Sequence, residues 1–153
     1  MNIFEYTKAY RIDYPVPEPI EMIRLKYARL LNLFNFVTGS DSNGISFKRK
    51  QIVTGSYNYE YLKPFREGYV AINYNIKQLE IIWTVKLDFL YLISFLFSIA
   101  FGIMAELFFD LPFPDLIIVG LVSFVLFFFI GISSIILKIS EINITCLEEQ
   151  QNS

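Results

Sequence analysis

The stretch FLYLISFLFSIAFGIMAELFFDLPFPDLIIVGLVSFVLFFFIGISSIIL, residues 89–137, decides the fold. From Phe89 to Ala105 it holds no charged residue, and Leu107, Phe108 and Phe109 extend the run past a lone Glu106. Leu116 to Leu137 is uncharged throughout. A helix rises about 1.5 Å per residue and the hydrocarbon layer of a bilayer is about 30 Å thick, so about 20 apolar residues are enough to cross it. Two transmembrane spans are expected, over residues 89–109 and 116–137. Buried helices of a soluble protein would keep a polar stripe, whereas these carry only scattered Ser and Gly.

Between the runs, Pro112 and Pro114 cannot continue a helix, and the residues before them are pushed toward extended geometry. A connection this short makes the two helices antiparallel neighbours, a transmembrane hairpin over residues 88–138. Twelve of the 13 basic residues precede the first span, Lys138 follows the second, and the turn holds Glu106, Asp110 and Asp115 with no base. Lys and Arg near spans stay on the cytoplasmic side, so both termini are expected in the cytoplasm. The expected location is integral to a membrane, the bacterial inner membrane. Small residues recur at Ser94, Ser98 and Gly102 in the first span and at Gly120, Ser123, Gly131 and Ser134 in the second. Such faces let helix backbones approach closely in lipid, either within the hairpin or between protomers.

Residues 1–87 are enough for one small domain. Phe4, Tyr6, Tyr10, Ile12 and Tyr14 share one parity, which favours a half-buried N-terminal strand over a short helix with Ile3, Tyr6, Tyr10 and Tyr14 on one side. Pro15 to Pro19 reads as an extended connector. Ile20, Ile23, Tyr27, Leu30, Leu31, Phe34 and Val37 then form a 3.6-residue stripe, with Thr38-Gly39 as the expected stop. Met22, Leu25, Leu33 and Phe36 make the far side of this helix apolar as well, as though it were covered twice or lay on a membrane surface. Ser40 to Gly44 reads as a loop.

Strands are expected over 45–53, 56–62, 69–76 and 79–87, with Tyr57, Tyr59 and Tyr61 an aromatic row in the second. Val70, Ile72, Tyr74 and Ile76 share a face, as do Leu79, Ile81, Trp83, Val85 and Leu87. The fold class expected is therefore α+β: one amphipathic helix on an antiparallel four-strand meander with a possible fifth N-terminal strand, followed by the hairpin. Only Asp88 separates the last strand from the first span, so sheet and span should move together. Residues 139–153 are expected to be a short, acidic cytoplasmic tail, disordered beyond its first few residues. Cys146 within it should react with an impermeant maleimide from the cytoplasmic side alone.

A net charge of -2 and a pI near 5.2 argue against nucleic acid as a partner. With no histidine and a single cysteine, the chain lacks the usual nucleophile and base pairs and the Cys/His metal sites; no glycine-rich phosphate loop occurs. No enzyme activity and no cofactor are expected. No signal peptide is expected either, because Met1 to Tyr14 includes Glu5 and Asp13. Asn143-Ile144-Thr145 fits the glycosylation pattern by chance, on the wrong side for it.

Lys48, Arg49 and Lys50 form the densest positive cluster. They are read either as protection of a sheet edge or as a contact for anionic lipid or a partner. The function expected is a small integral membrane protein whose cytoplasmic domain is an interaction or regulatory module, working as a homo-oligomer or as a subunit of a membrane assembly. Its partners would be membrane lipids and copies of itself or other membrane proteins. A second reading is a membrane-perturbing effector or small channel gated by the soluble domain, and a third is a sensor of anionic lipid surfaces.

Overall fold

The computed structural model describes residues 4–13, 19–50, 64–75 and 78–151. The tyrosine-rich strand expected over 56–62, and the connector before Pro19, lie outside the described residues. The chain runs β1 (Glu5–Asp13), α1 (Ile20–Leu33), β2 (Phe36–Ser40), β3 (Gly44–Arg49), β4 (Glu67–Asn75), β5 (Gln78–Lys86), α2 (Asp88–Phe109) and α3 (Phe113–Gln151). The strands form one antiparallel sheet in the order β1-β5-β4-β3-β2. The N-terminal segment is therefore a strand, paired along its whole length with β5 from Glu5 opposite Lys86 to Asp13 opposite Gln78. Since β1 and β2 lie at opposite edges, α1 must cross one face of the sheet to join them.

Alternation sets that face. Leu79, Ile81, Trp83 and Val85 of β5, Val70 and Ile72 of β4, and Ile45 and Phe47 of β3 are all buried. Against them α1 buries Ile23, Tyr27, Leu30 and Leu31, while Met22, Leu25 and Leu33 remain exposed. The helix ends earlier than its apolar stripe predicts. Asn35 takes a left-handed conformation (φ 66°), and its N–H donates to the Asn32 carbonyl at 3.1 Å. Asparagine tolerates that geometry, so the helix stops here instead of at Gly39. Phe36 then starts β2 and is buried, whereas Val37, counted in the stripe, is 56% exposed. The loop expected at 40–44 is the tip of the β2–β3 hairpin: Asp41 Oδ1 accepts the N–H groups of Asn43 (2.8 Å) and Gly44 (2.9 Å).

Trp83 is fully buried at the centre, with the rings of Tyr27, Phe47 and Phe65 packed around it at centroid distances of 5.8 to 6.2 Å. One residue past β5 the chain becomes α2. The Leu87 N–H donates to the Phe4 carbonyl at 2.8 Å, and the Leu87 carbonyl accepts the Tyr91 N–H at 3.0 Å. Strand and helix are thus joined with no free linker. α2 stops at Asp110, left-handed at φ 47°, and Pro112 precedes the first turn of α3. Both helices are long and apolar enough to cross a membrane.

The largest departure from expectation is α3. Its 39 residues make a single helix about 58 Å long at about 1.5 Å per residue. It pairs with α2 through Tyr91 against Phe128 (4.7 Å between ring centroids) and Phe97 against Phe127 (4.8 Å). Then it outruns α2 and lies beside α1 over the sheet, burying Ile135, Ile139, Ile142, Asn143 and Cys146. The segment after Lys138 is therefore no disordered tail: its apolar residues recur at helical spacing and complete the sheet's cover. Cys146, only 1% exposed, is a core residue and not an accessible tail thiol. The folded chain is expected to react with maleimide far more slowly than the same chain in denaturing detergent, and equal rates would contradict the docking of α3.

Candidate functional site

Antiparallel pairing brings the C-terminal ends of β3 and β5 and the N-terminal end of β4 to one end of the sheet, where α2 departs. Lys48, Arg49, Arg66, Glu67, Lys86, Asp88 and Phe89 line a cleft of about 250 Å³ at that end. Four bases against two carboxylates leave the lining with a net charge of +2. Lys48 and Arg49 end β3, Arg66 directly precedes β4 and Lys86 ends β5, so only the register unites them.

On the uncovered face, Lys48 stands opposite Glu67, and the Gly68–Val85 pairing places Glu67 next to Lys86. Glu67 takes both: Lys86 Nζ lies 2.7 Å and Lys48 Nζ 3.7 Å from its carboxylate. The hydrogen bond from Lys86 is the main reason that the Glu67 carboxyl sits below its ordinary range, and the same contact raises Lys86. A carboxylate whose pKa is lowered on folding adds stability above its ordinary pKa and loses it as pH falls through the lowered value. The stability difference between the natural chain and Glu67→Gln is therefore expected to shrink on acidification. Exposure keeps it small, under about 1 kcal/mol at neutral pH. Melting curves of both chains at neutral and acid pH test this, and a difference that grows in acid would refute it.

Arg49 points to the other side of the sheet end. Its Nε and Nη2 donate to the Phe65 carbonyl at 3.3 and 3.2 Å, and its guanidinium lies 4.9 Å from the Phe36 ring centroid. Arg66 stacks on Phe89, the first apolar residue of α2, at 4.1 Å. Among the described residues no carboxylate lies within ion-pairing distance of Arg66.

The chain matches no protein-family model, and neither a curated protein nor a solved structure is significantly similar to it. Of the basic cluster read from the sequence, Lys48 and Arg49 line the cleft and Lys50 does not; Lys50 is exposed, with its N–H donating to the Asn35 carbonyl at 2.9 Å. Arg66, Lys86 and Phe89 are cleft residues that sequence reading passed over. Strand parity could have put Lys48, Glu67 and Lys86 in one row, but only with the register in hand.

A second polar centre lies in the core. Asn143 Oδ1 accepts the Tyr27 hydroxyl at 2.9 Å and the Trp83 indole N–H at 3.1 Å, tying α1, β5 and α3 together. Burial pushes the Tyr27 phenol well above the usual tyrosine range, and the neighbouring Cys146 adds to the shift. Asn143 is thus engaged inside the fold, as the glycosylation pattern alone does not reveal. Of the small residues, Ser94, Ser98, Ser123 and Gly131 are buried; Ser134 is exposed, and Gly102 and Gly120 are partly covered. A Cβ on Gly131 would overlap Leu90 Cδ1, whereas one on Gly102 would meet nothing within 4 Å. Glu106, Asp110 and Asp115 are exposed around the hairpin turn.

Proposed function

We propose that the chain is a small integral membrane protein in which a cytoplasmic sheet domain serves as a regulatory and interaction module, rigidly joined to a two-helix membrane hairpin and working within a membrane assembly of copies or other membrane proteins. The observation that carries the reading is the continuity of α3, which packs on α2 in its first half and closes the sheet's core with its second. A change in the domain therefore tilts or shifts a span, and the reverse. Leu90 strengthens the link: it belongs to the domain core and also rests on Gly131 of the hairpin.

Several features support the membrane setting. The outer surface of the hairpin presents Phe95, Leu96, Ile103, Leu121, Val125 and Phe129 exposed, a surface that lipid would cover at no cost. All 13 bases lie on the domain side of the spans and the turn holds three carboxylates and no base, a bias in Lys and Arg that favours a cytoplasmic domain. Exposed Met22, Leu25 and Leu33 on α1 leave an apolar side for a protein partner.

The coupling is tested by disturbing the hairpin and reading the domain. Gly131→Leu forces Leu90 to move and is expected to raise the maleimide reactivity of Cys146 in membranes several-fold, an opening of roughly 1 kcal/mol or more. Gly102→Leu, where there is room, should leave it unchanged. Unaltered Cys146 reactivity in Gly131→Leu sinks the coupling, and light scattering in mild detergent that finds one chain per particle counts against the assembly.

A further inference from the structure

We propose that the cleft between the sheet end and α2 is a binding site for the phosphate of an anionic phospholipid, with Arg66 as its principal ligand and Lys86 and Lys48 as the surrounding charge. The inference deepens the membrane reading and rests on it. Three independent features converge there.

The first is depth. Asp88 is the last charged residue before the apolar run, which meets no further charge until Glu106. In a span that starts at Phe89, the lining lies at the level where the phosphates of the inner leaflet lie. The second is charge. Glu67 is shared between Lys86 and Lys48, which leaves those three groups a net charge of +1, and the Arg66 guanidinium has no carboxylate partner among the described residues. An arginine offers a planar fork of donors that fits two phosphate oxygens at once, which a lysine cannot do. The third is shape. The Arg66 guanidinium carbon lies over the Phe89 ring, 4.1 Å from its centroid, so the donor that would meet the phosphate is held by the same ring that would meet the first methylenes of the acyl chain. The cleft of about 250 Å³ is of headgroup size, not of the size of a whole lipid, whose chains would run down α2 in the bilayer.

Asp88 opposes an anion in the cleft, yet it sits in the first turn of α2, where the unpaired N–H groups of the helix offset its charge. Lys50 lies outside the lining and serves as an internal control for diffuse attraction.

The test uses the full chain in a neutral detergent, with bound ligand counted by native mass spectrometry. Short-chain phosphatidylglycerol, phosphatidylcholine with the same chains, glycerol phosphate and inorganic phosphate are titrated in parallel. Phosphatidylglycerol is expected to bind and phosphatidylcholine to bind far less, with glycerol phosphate and inorganic phosphate weakest because they lack the chains. Arg66→Gln and Lys86→Gln are each expected to weaken phosphatidylglycerol binding by about five-fold, Arg66→Lys to recover it in part, and Lys50→Gln to leave it unchanged. Equal binding of both lipids, or equal losses in Arg66→Gln and Lys50→Gln, overturns the site. Free phosphate binding as well as the lipid overturns the lipid assignment. Alkaline extraction of native membranes separates this failure from that of the underlying reading: a chain that stays in the pellet but shows no lipid preference refutes the site alone, and a chain that is extracted refutes both.

Discussion

A stop after Lys138 is expected to unfold the sheet domain, although it removes only the end of the chain. The deleted part carries Ile139, Ile142, Asn143 and Cys146, all buried in the common core with Trp83 and Tyr27. Burying an isoleucine side chain is worth about 1.5–3 kcal/mol, and each core donor left without its acceptor costs about 1–3 kcal/mol. The sum, roughly 5–10 kcal/mol, is comparable to the whole stability of an ordinary domain, about 5–15 kcal/mol. Circular dichroism melting and limited proteolysis in detergent check this: the shortened chain should lose its cooperative transition and be cut within residues 4–86, while a stop after Cys146 keeps every one of these buried side chains and should melt close to the full chain. A Lys138 truncation that melts within a few degrees of the full chain would show that the end of α3 is dispensable.

Asn143→Leu is expected to be the most damaging single substitution in the core. Leucine fits the space approximately but accepts no hydrogen bond, so the Tyr27 hydroxyl and the Trp83 indole N–H, at 2.9 and 3.1 Å from the present acceptor, are left buried and unpaired. The expected loss is about 2–5 kcal/mol in denaturant unfolding. A double substitution makes the mechanism specific. Tyr27→Phe removes one stranded donor, so it should be less harmful in the Asn143→Leu background than alone, with a coupling of about 1 kcal/mol or more. Simple additivity would mean that packing, not hydrogen bonding, is what Asn143 supplies. Ser140→Ala, which loses only a 3.4 Å contact with Tyr10, is the mild comparison.

Both variants act on a segment that reads from the sequence as a short acidic tail, disordered beyond its first few residues. The error has a physical origin. Past Lys138 the apolar residues are Ile139, Ile142, Ile144, Cys146 and Leu147, too few and too mixed with Glu141, Glu148 and Glu149 to look like a span, and too short to look like a helix of its own. As the continuation of a helix already formed in α3, the segment has no nucleation cost, and its narrow apolar stripe is sufficient to dock. The stop of α1 differs from its sequence pattern for a related reason. Apolar residues continue at helical spacing through Phe34 and Val37, and only the left-handed Asn35, followed by strand pairing of Phe36 with Arg49, ends the pattern.

Local periodicity was strong where elements are long or regularly alternating. The two apolar helices, the turn with its prolines, the β4 and β5 faces and the strand character of β1 were all readable from the sequence, because period and length are properties of consecutive residues. The cleft was readable only in part. Lys48 and Arg49 are adjacent and conspicuous, but Arg66 and Lys86 reach them through the β3–β4 and β4–β5 registers, and Phe89 joins through the abrupt passage of β5 into α2.

By itself, then, the sequence determined the elements: two apolar helices joined by a short turn, a strand-rich segment before them, and a distribution of Lys and Arg that leaves the turn without a base. Tertiary structure alone decided what covers the sheet and which charges meet. Covering depends on where a long helix goes after its partner ends, and α3 goes back over Trp83 because an exposed apolar sheet face and a buried indole donor both need what Ile139, Ile142 and Asn143 provide. Burial of that face and satisfaction of that donor are long-range terms, set by contacts between residues 60 and more positions apart, and no local pattern carries them.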